Sequence, residues 1–167
     1  MTEPSQDDLR KLYAEAKTIA VVGCSSRSRW PKPSAVVPAY MQAHGFRIVP
    51  VNPHETEILG EPAVASLADL REPVDIVDVF RPADEAPAIA QAAVDLGARY
   101  LWLQTGIVSQ EARDVAEAGG LTVVMDQCIA ITYADLRLGP AVPAWKAAQQ
   151  EEAASCDVSL ESDRKGA

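Results

Sequence analysis

Positive charge is in short supply in this sequence: 15 Lys and Arg residues stand against 24 Asp and Glu, for a formal net charge of −9. A general nucleic-acid binder needs a basic face to displace counterions, so no nucleic-acid partner is expected. Long apolar runs are missing as well. None approaches the roughly 20 residues that span a bilayer. The opening MTEPSQDDLRKLYAEAK, polar and mixed in charge, does not read as a secretory signal. A cytoplasmic setting without a membrane partner is therefore expected. Cysteine is sparse: Cys24, Cys128 and Cys156 are odd in number and form no C-x-x-C pair, which points to neither a disulfide framework nor a zinc site. The two histidines, His44 and His54, have no motif around either, so neither a metal site nor a catalytic residue is assigned.

What is present describes one globular domain. The 167 residues suffice to bury a real core, and 48% apolar with 23% charged residues is ordinary for such a domain. Short β-branched runs recur at TIAVVG (18–23), FRIVPVN (46–52), VDIVDVF (74–80), YLWLQT (100–105) and LTVVMD (121–126). Several are apolar almost throughout, as strands covered on both faces must be. Helical patterns fill the intervals at about 34–44, 83–97 and 109–118, with a shorter one at 66–71 behind the N-cap candidate Ser66. His44-Gly45, Gly97 and Gly119-Gly120 close the longer helices. An amphipathic helix over 6–16 carries Leu9, Leu12, Tyr13 and Ala16 on one side. Residues 128–138 read as a last helix or an extended closing segment, the helix being preferred.

Strands separated by helices of this length need crossover connections and so a mainly parallel sheet. The expected fold class is α/β: a Rossmann-like, mainly parallel five-stranded sheet in order 3-2-1-4-5 with helices on both faces, its third strand short and near Ala63. This domain occupies residues 1–139. Residues 140–167 read as a C-terminal tail, partly helical at about 143–154 and otherwise disordered, because prolines and then alanine and acidic residues show no firm apolar period.

The chemistry concentrates in IAVVGCSSRSRWPKPS (19–34). A strand that ends on Gly23 and leads to a helix offers backbone N–H groups and the positive end of a helix dipole, which together suit phosphate. Ser25 and Ser26 add hydroxyls; Arg27, Arg29 and Lys32 add positive charge in an otherwise acidic chain. Pro31 and Pro33 put helix onset at Ser34, whose hydroxyl is a cap candidate, while Pro38 leaves the boundary open. A dinucleotide site fits less well. The fingerprint G-x-G-x-x-G is met here by Gly23, Ser25 and Ser28, and the second run ends VNP without the acidic residue that holds a ribose 2′-hydroxyl. A plain strand-to-helix turn is the remaining alternative.

Four motifs in order carry a resemblance: IAVVGCSSRSRWPKPSAVVPAYMQAHGFRIVPVNP, LGEPAVASLADLREPVDIVDVFRP, GARYLWLQTGIV and AGGLTVVMDQCIAI. From about residue 8 to about residue 138 the chain resembles the small single-domain coenzyme A-binding proteins, which are similar to the N-terminal nucleotide domain of the succinyl-CoA synthetase alpha subunit. The resemblance implies coenzyme A or an acyl-CoA as the ligand. It implies that Gly23, Cys24, Ser25 and Ser26 hold the coenzyme's phosphates; the two cations between Arg27 and Trp30 are extra relative to the family, Arg27 remaining a phosphate candidate by its charge alone. Lys32, Pro33 and Ser34 are implied to contact the 3′-phosphate or the pyrophosphate. Val51, Asn52 and Pro53 would lie beside the adenosine, and Val79, Phe80, Arg81 and Pro82 would flank the adenine, Arg81 serving as a further phosphate partner. Asn52 in place of a carboxylate makes physical sense, since a 3′-phosphate would be repelled by an acid there. A counterpart of the synthetase's second domain, with its phosphorylated histidine, is not expected.

Other groups are weighed against plain structural roles. Cys24, at a helix N-terminus near Arg27, has the setting of a reactive thiolate that could pair with coenzyme A, but packing beneath the loop is the preferred reading. Cys128 matches a cysteine common in the family and is assigned to the core. Asp75 and Asp78, three apart in a strand, point to opposite faces and form no acid–base pair. Gln104 and Asp126 end neighbouring strands, where they line the mouth near the thiol arm or cap loop backbones. Trp102 belongs to the core or to a subunit interface. The expected function is a non-catalytic module that binds or senses coenzyme A or an acyl-CoA. An NAD(P)-dependent oxidoreductase and a protein-interaction scaffold with a vestigial nucleotide pocket are the alternatives, and self-association or an unidentified protein partner stays open.

Overall fold

The computed structural model describes residues 2–26 and 32–140. Arg27 and, but for Pro140, the expected tail lie outside the described residues.

The chain opens with helix α1 (Gln6–Glu15), started by a reciprocal cap: the Asp8 amide donates to Ser5 Oγ (3.2 Å) while the Ser5 amide donates to Asp8 Oδ2 (3.0 Å). Strand β1 (Thr18–Val22) follows, then α2 (Pro33–Ala43) and β2 (Arg47–Val51). A small antiparallel pair, β3 (Glu57–Ile58) and β4 (Glu61–Pro62), precedes a 3-10 turn at Leu67–Asp69. The remainder alternates: β5 (Ile76–Val79), α3 (Ala86–Leu96), β6 (Tyr100–Leu103), α4 (Gln110–Ala118), β7 (Thr122–Val124) and α5 (Ile129–Asp135). Five parallel strands form the sheet in the order β2-β1-β5-β6-β7. The fold is the Rossmann-like α/β class expected. The short third strand expected near Ala63 contributes a single parallel bridge, Val64 with Val51, on the outer side of β2.

Side-chain alternation along each strand divides the core in two. Ile19 and Val21 of β1, Ile48, Ile76, Trp102 and Val124 pack under α1, α2 and α5. Ala20, Val49, Val77, Val79, Leu101 and Leu103 face α3 and α4, which meet them with small residues, Ala86, Ala90, Ala93, Ala112 and Ala116. The strands are thus buried on both faces, which is why they read as continuous apolar runs. Trp102 is fully buried, its Nε1–H donating to Gln127 O (2.8 Å), so it belongs to the core. The pattern at 66–71 forms only the 3-10 turn, opened by a capping box in which Asp69 Oδ2 accepts from both the amide and the hydroxyl of Ser66. Of residues 128–138, Ile129–Asp135 form a helix, α5. No described helix is long and apolar enough to cross a membrane.

Candidate functional site

At the carboxyl ends of β1, β2 and β5 lies a cavity of about 660 Å³. Open parallel sheets bind ligands there, since the strands end and the crossover helices begin on that side. Gly23, Ser25, Lys32, Ser34, Asn52, Pro53, Phe80 and Arg81, far apart in the chain, share its wall with Val51. The other residues singled out from the sequence sit around it. Cys24 and Val79 are buried beneath the floor, Pro33 lines an adjoining smaller cavity, and Pro82 O accepts from the Glu85 amide in the turn into α3 (3.0 Å). A second cavity of similar size, about 680 Å³, lies at the opposite ends of β6 and β7. Glu3, Asp8, Glu15 and Glu117 outnumber Lys11 and Arg99 on its wall, so it suits phosphates poorly.

The loop after β1 departs from its expected role in one respect. Its amides are not free: Gly23 N donates to Val51 O (3.0 Å), Cys24 N to Val21 O (3.4 Å), Ser25 N to Ser34 O (3.1 Å) and Ser26 N to Glu55 Oε1 (3.2 Å). The hydrogen bonds that hold the loop in place consume the donors that a phosphate would use. What remains is side-chain chemistry. Lys32 stands at the start of α2, and the Ser25 and Ser34 hydroxyls lie 2.7 Å apart, so one donates to the other and the second keeps a proton to give. Ser34 is also not the cap expected: α2 starts at Pro33, whose fixed φ suits the first helical position, and Lys32 is the N-cap residue.

Pro38 explains how the loop is stapled to the helix. Having no N–H, it cannot bond to Ser34 O four residues back, and that carbonyl accepts the Ser25 amide instead. The helix therefore runs through Pro38 without a break.

Gly23 has φ +85°, and a Cβ built on it would stand 3.0 Å from both Phe80 O and Arg81 Cδ. The first fingerprint glycine is thus required by the approach of the β5 end to the loop. Arg81 is held by Glu85 through two hydrogen bonds, Nε to Oε2 (2.9 Å) and Nη2 to Oε1 (2.7 Å). This pair holds the Arg81 guanidinium above and the Glu85 carboxyl below their ordinary values. Asn52 acts as a clamp: Nδ2 donates to Cys24 O (2.8 Å) and Oδ1 accepts the His54 amide (2.8 Å). Both ends of its side chain are thereby used within the protein. Asn52→Ala is expected to lower stability by about 1–2 kcal/mol and to speed amide exchange at Ser25 and Ser26; unchanged exchange there would remove the clamp from the account.

Cys24 is no reactive thiolate. Burial, then the charges of Asp78 and Glu55, push its thiol up to about 12. Asp126 takes up the backbone-capping alternative, accepting the Gly106 amide through Oδ1 (2.7 Å). His54, Ser66 and, at the start of α3, Glu85, Ala88 and Ile89 also line the cavity and were not among the site residues expected from the sequence. The α3 spacing was a usable signal; His54 and Ser66 had none.

Known proteins sharing this architecture include the uncharacterized protein YneT of Bacillus subtilis (strain 168), 39% identical over 134 residues that make up 80% of this chain and 98% of YneT. The solved structure of cell-free ID.343 from Thermus thermophilus is 38% identical and has a TM-score of 0.74, covering 80% of this chain and 99% of that one. At the level of fold alone, the chain is similar to part of a dinucleotide-forming acetyl-coenzyme A synthetase from Ca. Korarchaeum cryptofilum. There the identity is 21% and the TM-score 0.60, over 72% of this chain but 28% of the synthetase. Residues 17–134 match the model of the CoA binding domain, and the chain belongs to that family.

Proposed function

We propose that this protein binds coenzyme A or an acyl-CoA as a small cytoplasmic module that holds or senses the cofactor and carries out no reaction on it. The observation that carries this reading is the single cavity wall on which Gly23, Lys32, Ser34, Asn52 and Arg81 meet, in a chain of the CoA-binding domain family. The groups present fit a polyphosphate ligand. Gly23 lets the end of β5 close on the loop, Lys32 supplies a cation, Arg81 adds a guanidinium paired with Glu85, and the Ser34 amide has no partner among the described residues. An NAD(P) oxidoreductase is the weaker reading. Asn52 is spent on the loop, and Glu55, the first carboxylate after β2, is spent on Ser26. A cytoplasmic setting also suits the buried, reduced thiol of Cys24.

Calorimetric titration under reducing conditions tests the proposal. Coenzyme A is expected to bind more tightly than dephospho-CoA by about tenfold, the worth of a charge-assisted phosphate contact. Lys32→Ala is expected to remove most of that difference. NAD binding as tight as coenzyme A would favour the oxidoreductase. Absence of heat and of thermal shift with every nucleotide would overturn the proposal and leave the interaction scaffold.

A further inference from the structure

Among the described residues, a single carboxylate stands on the wall of the cavity at the ends of β1, β2 and β5: Glu85. On the wall of a site read as taking phosphates, a negative group repels what the site must attract. Its setting shows what it does there. Glu85 is the N-cap residue of α3, and its two oxygens take Arg81 Nε (2.9 Å) and Arg81 Nη2 (2.7 Å). A guanidinium fork of this kind fits a phosphate as well as it fits a carboxylate. Glu85 thus fills, with an anion of the protein's own, the donors that a ligand phosphate would use. The pair is also easily opened. Both side chains are nearly half exposed, 46% and 45%, and an exposed ion pair contributes little to stability. The stem of Arg81 is less free, since Arg81 Cδ lies 3.0 Å from where a Gly23 Cβ would stand, against the turn after β1. Exchange of one anion for another therefore needs the guanidinium end to turn and leaves the strand end in place.

We infer that Glu85 is a specificity-determining residue of this site, an exchangeable anion that occupies Arg81 until a ligand phosphate displaces it. The inference rests on the coenzyme A reading, which supplies the phosphates. Its consequence is selection by charge. A ligand carboxylate gains nothing by taking the place of another carboxylate, whereas a phosphate brings more negative charge and three acceptor oxygens. Lys32, the other cation on the wall, has no such counter-ion among the described residues and is open to any anion. Arg81 with Glu85 therefore makes the choice that Lys32 alone does not.

The test is a titration of the full chain with coenzyme A at pH 8 and an ionic strength of about 0.15 M, where distant charges are screened. Glu85→Gln keeps the side-chain length and an acceptor oxygen for Arg81 and drops only the charge. It is expected to tighten coenzyme A by about five- to tenfold, because the phosphate no longer displaces an anion. Arg81→Ala added to Glu85→Gln is expected to bind at least about tenfold more weakly than Glu85→Gln alone, the loss of a charge-assisted contact. A general effect of removing one negative charge would not depend on Arg81 in this way. Asp95→Asn, which removes a carboxylate of α3 away from the cavity wall, is expected to leave the affinity unchanged. Weaker or unchanged binding in Glu85→Gln, no loss when Arg81→Ala is added, or equal tightening by Asp95→Asn would overturn the inference and leave the coenzyme A reading in place. Binding of coenzyme A by neither the wild type nor any variant would overturn that reading and the inference with it.

Discussion

Asp78→Asn is expected to raise the thermal midpoint clearly at pH 8 and to leave it nearly unchanged at pH 5. Burial lifts the Asp78 carboxyl from 3.8 to about 7, against the smaller downward pull of hydrogen bonds from Gln104 and the Val79 amide. The sign follows from proton counting. Between pH 4 and pH 7 the native state keeps a proton that the unfolded chain has released, so stability falls as pH rises through that window and stays low above it. A shift of about three units corresponds to roughly 4 kcal/mol at most. An asparagine carries no charge to bury but leaves an amide N–H to satisfy, which takes back about 1 kcal/mol. The net gain at pH 8 is therefore about 2–3 kcal/mol, or roughly 5–15 °C in midpoint.

Two ionisable groups near Asp78, Tyr13 and Cys24, are both pushed upward, Cys24 to about 12, and do not titrate in this window. Unfolding curves of both proteins at pH 5, 6.5 and 8 check the prediction. A constant difference across the three would show that the Asp78 charge is not what destabilises the native state.

Gly23→Ala is expected to destabilise the fold by about 2–4 kcal/mol and to weaken coenzyme A more than tenfold. Two terms add. An L-residue at φ +85° costs about 1–2 kcal/mol. The new methyl would also press on Phe80 O and Arg81 Cδ at 3.0 Å, and Phe80 O is backbone at the end of β5, so relief requires the loop and the strand end to part. That movement separates Arg81 from Lys32 across the cavity. Gly45→Ala separates the terms: Gly45 has φ +95° with nothing within 4 Å of its would-be Cβ. It is expected to lose stability by the backbone term alone and to bind coenzyme A as the wild type does. Equal binding losses in the two variants would trace the effect to general destabilisation rather than to the cradle.

The fold was largely readable before any coordinate. TIAVVG, VDIVDVF and YLWLQT are mostly apolar because both faces of a central parallel strand are covered, and burial of that kind is written in the residues themselves. The positions that meet at the cavity, Gly23, Lys32, Asn52 and Arg81, were readable for a related reason: strand ends in an open parallel sheet all emerge on one side. Hydrogen-bond partners were not readable. The loop after Gly23 promised free amides, yet each of the four described is taken, one of them by Glu55, 29 residues away in the chain. Pro38 looked like a flaw in α2 until Ser25 was found on the carbonyl it leaves open.

The sequence by itself thus determined the alternation of strands and helices, the two-sided core and the edge of the sheet where the cavity lies, because these depend on periodicity and on burial that each residue declares locally. Only the tertiary structure decided which polar groups remain for a ligand. In a crossover fold the donor and the acceptor of a bond come from strand ends 25 to 30 residues apart. Asn52 with Cys24, Glu55 with Ser26 and Gln104 with Asp78 are such pairs, 28, 29 and 26 residues apart. No local propensity encodes which of them will meet.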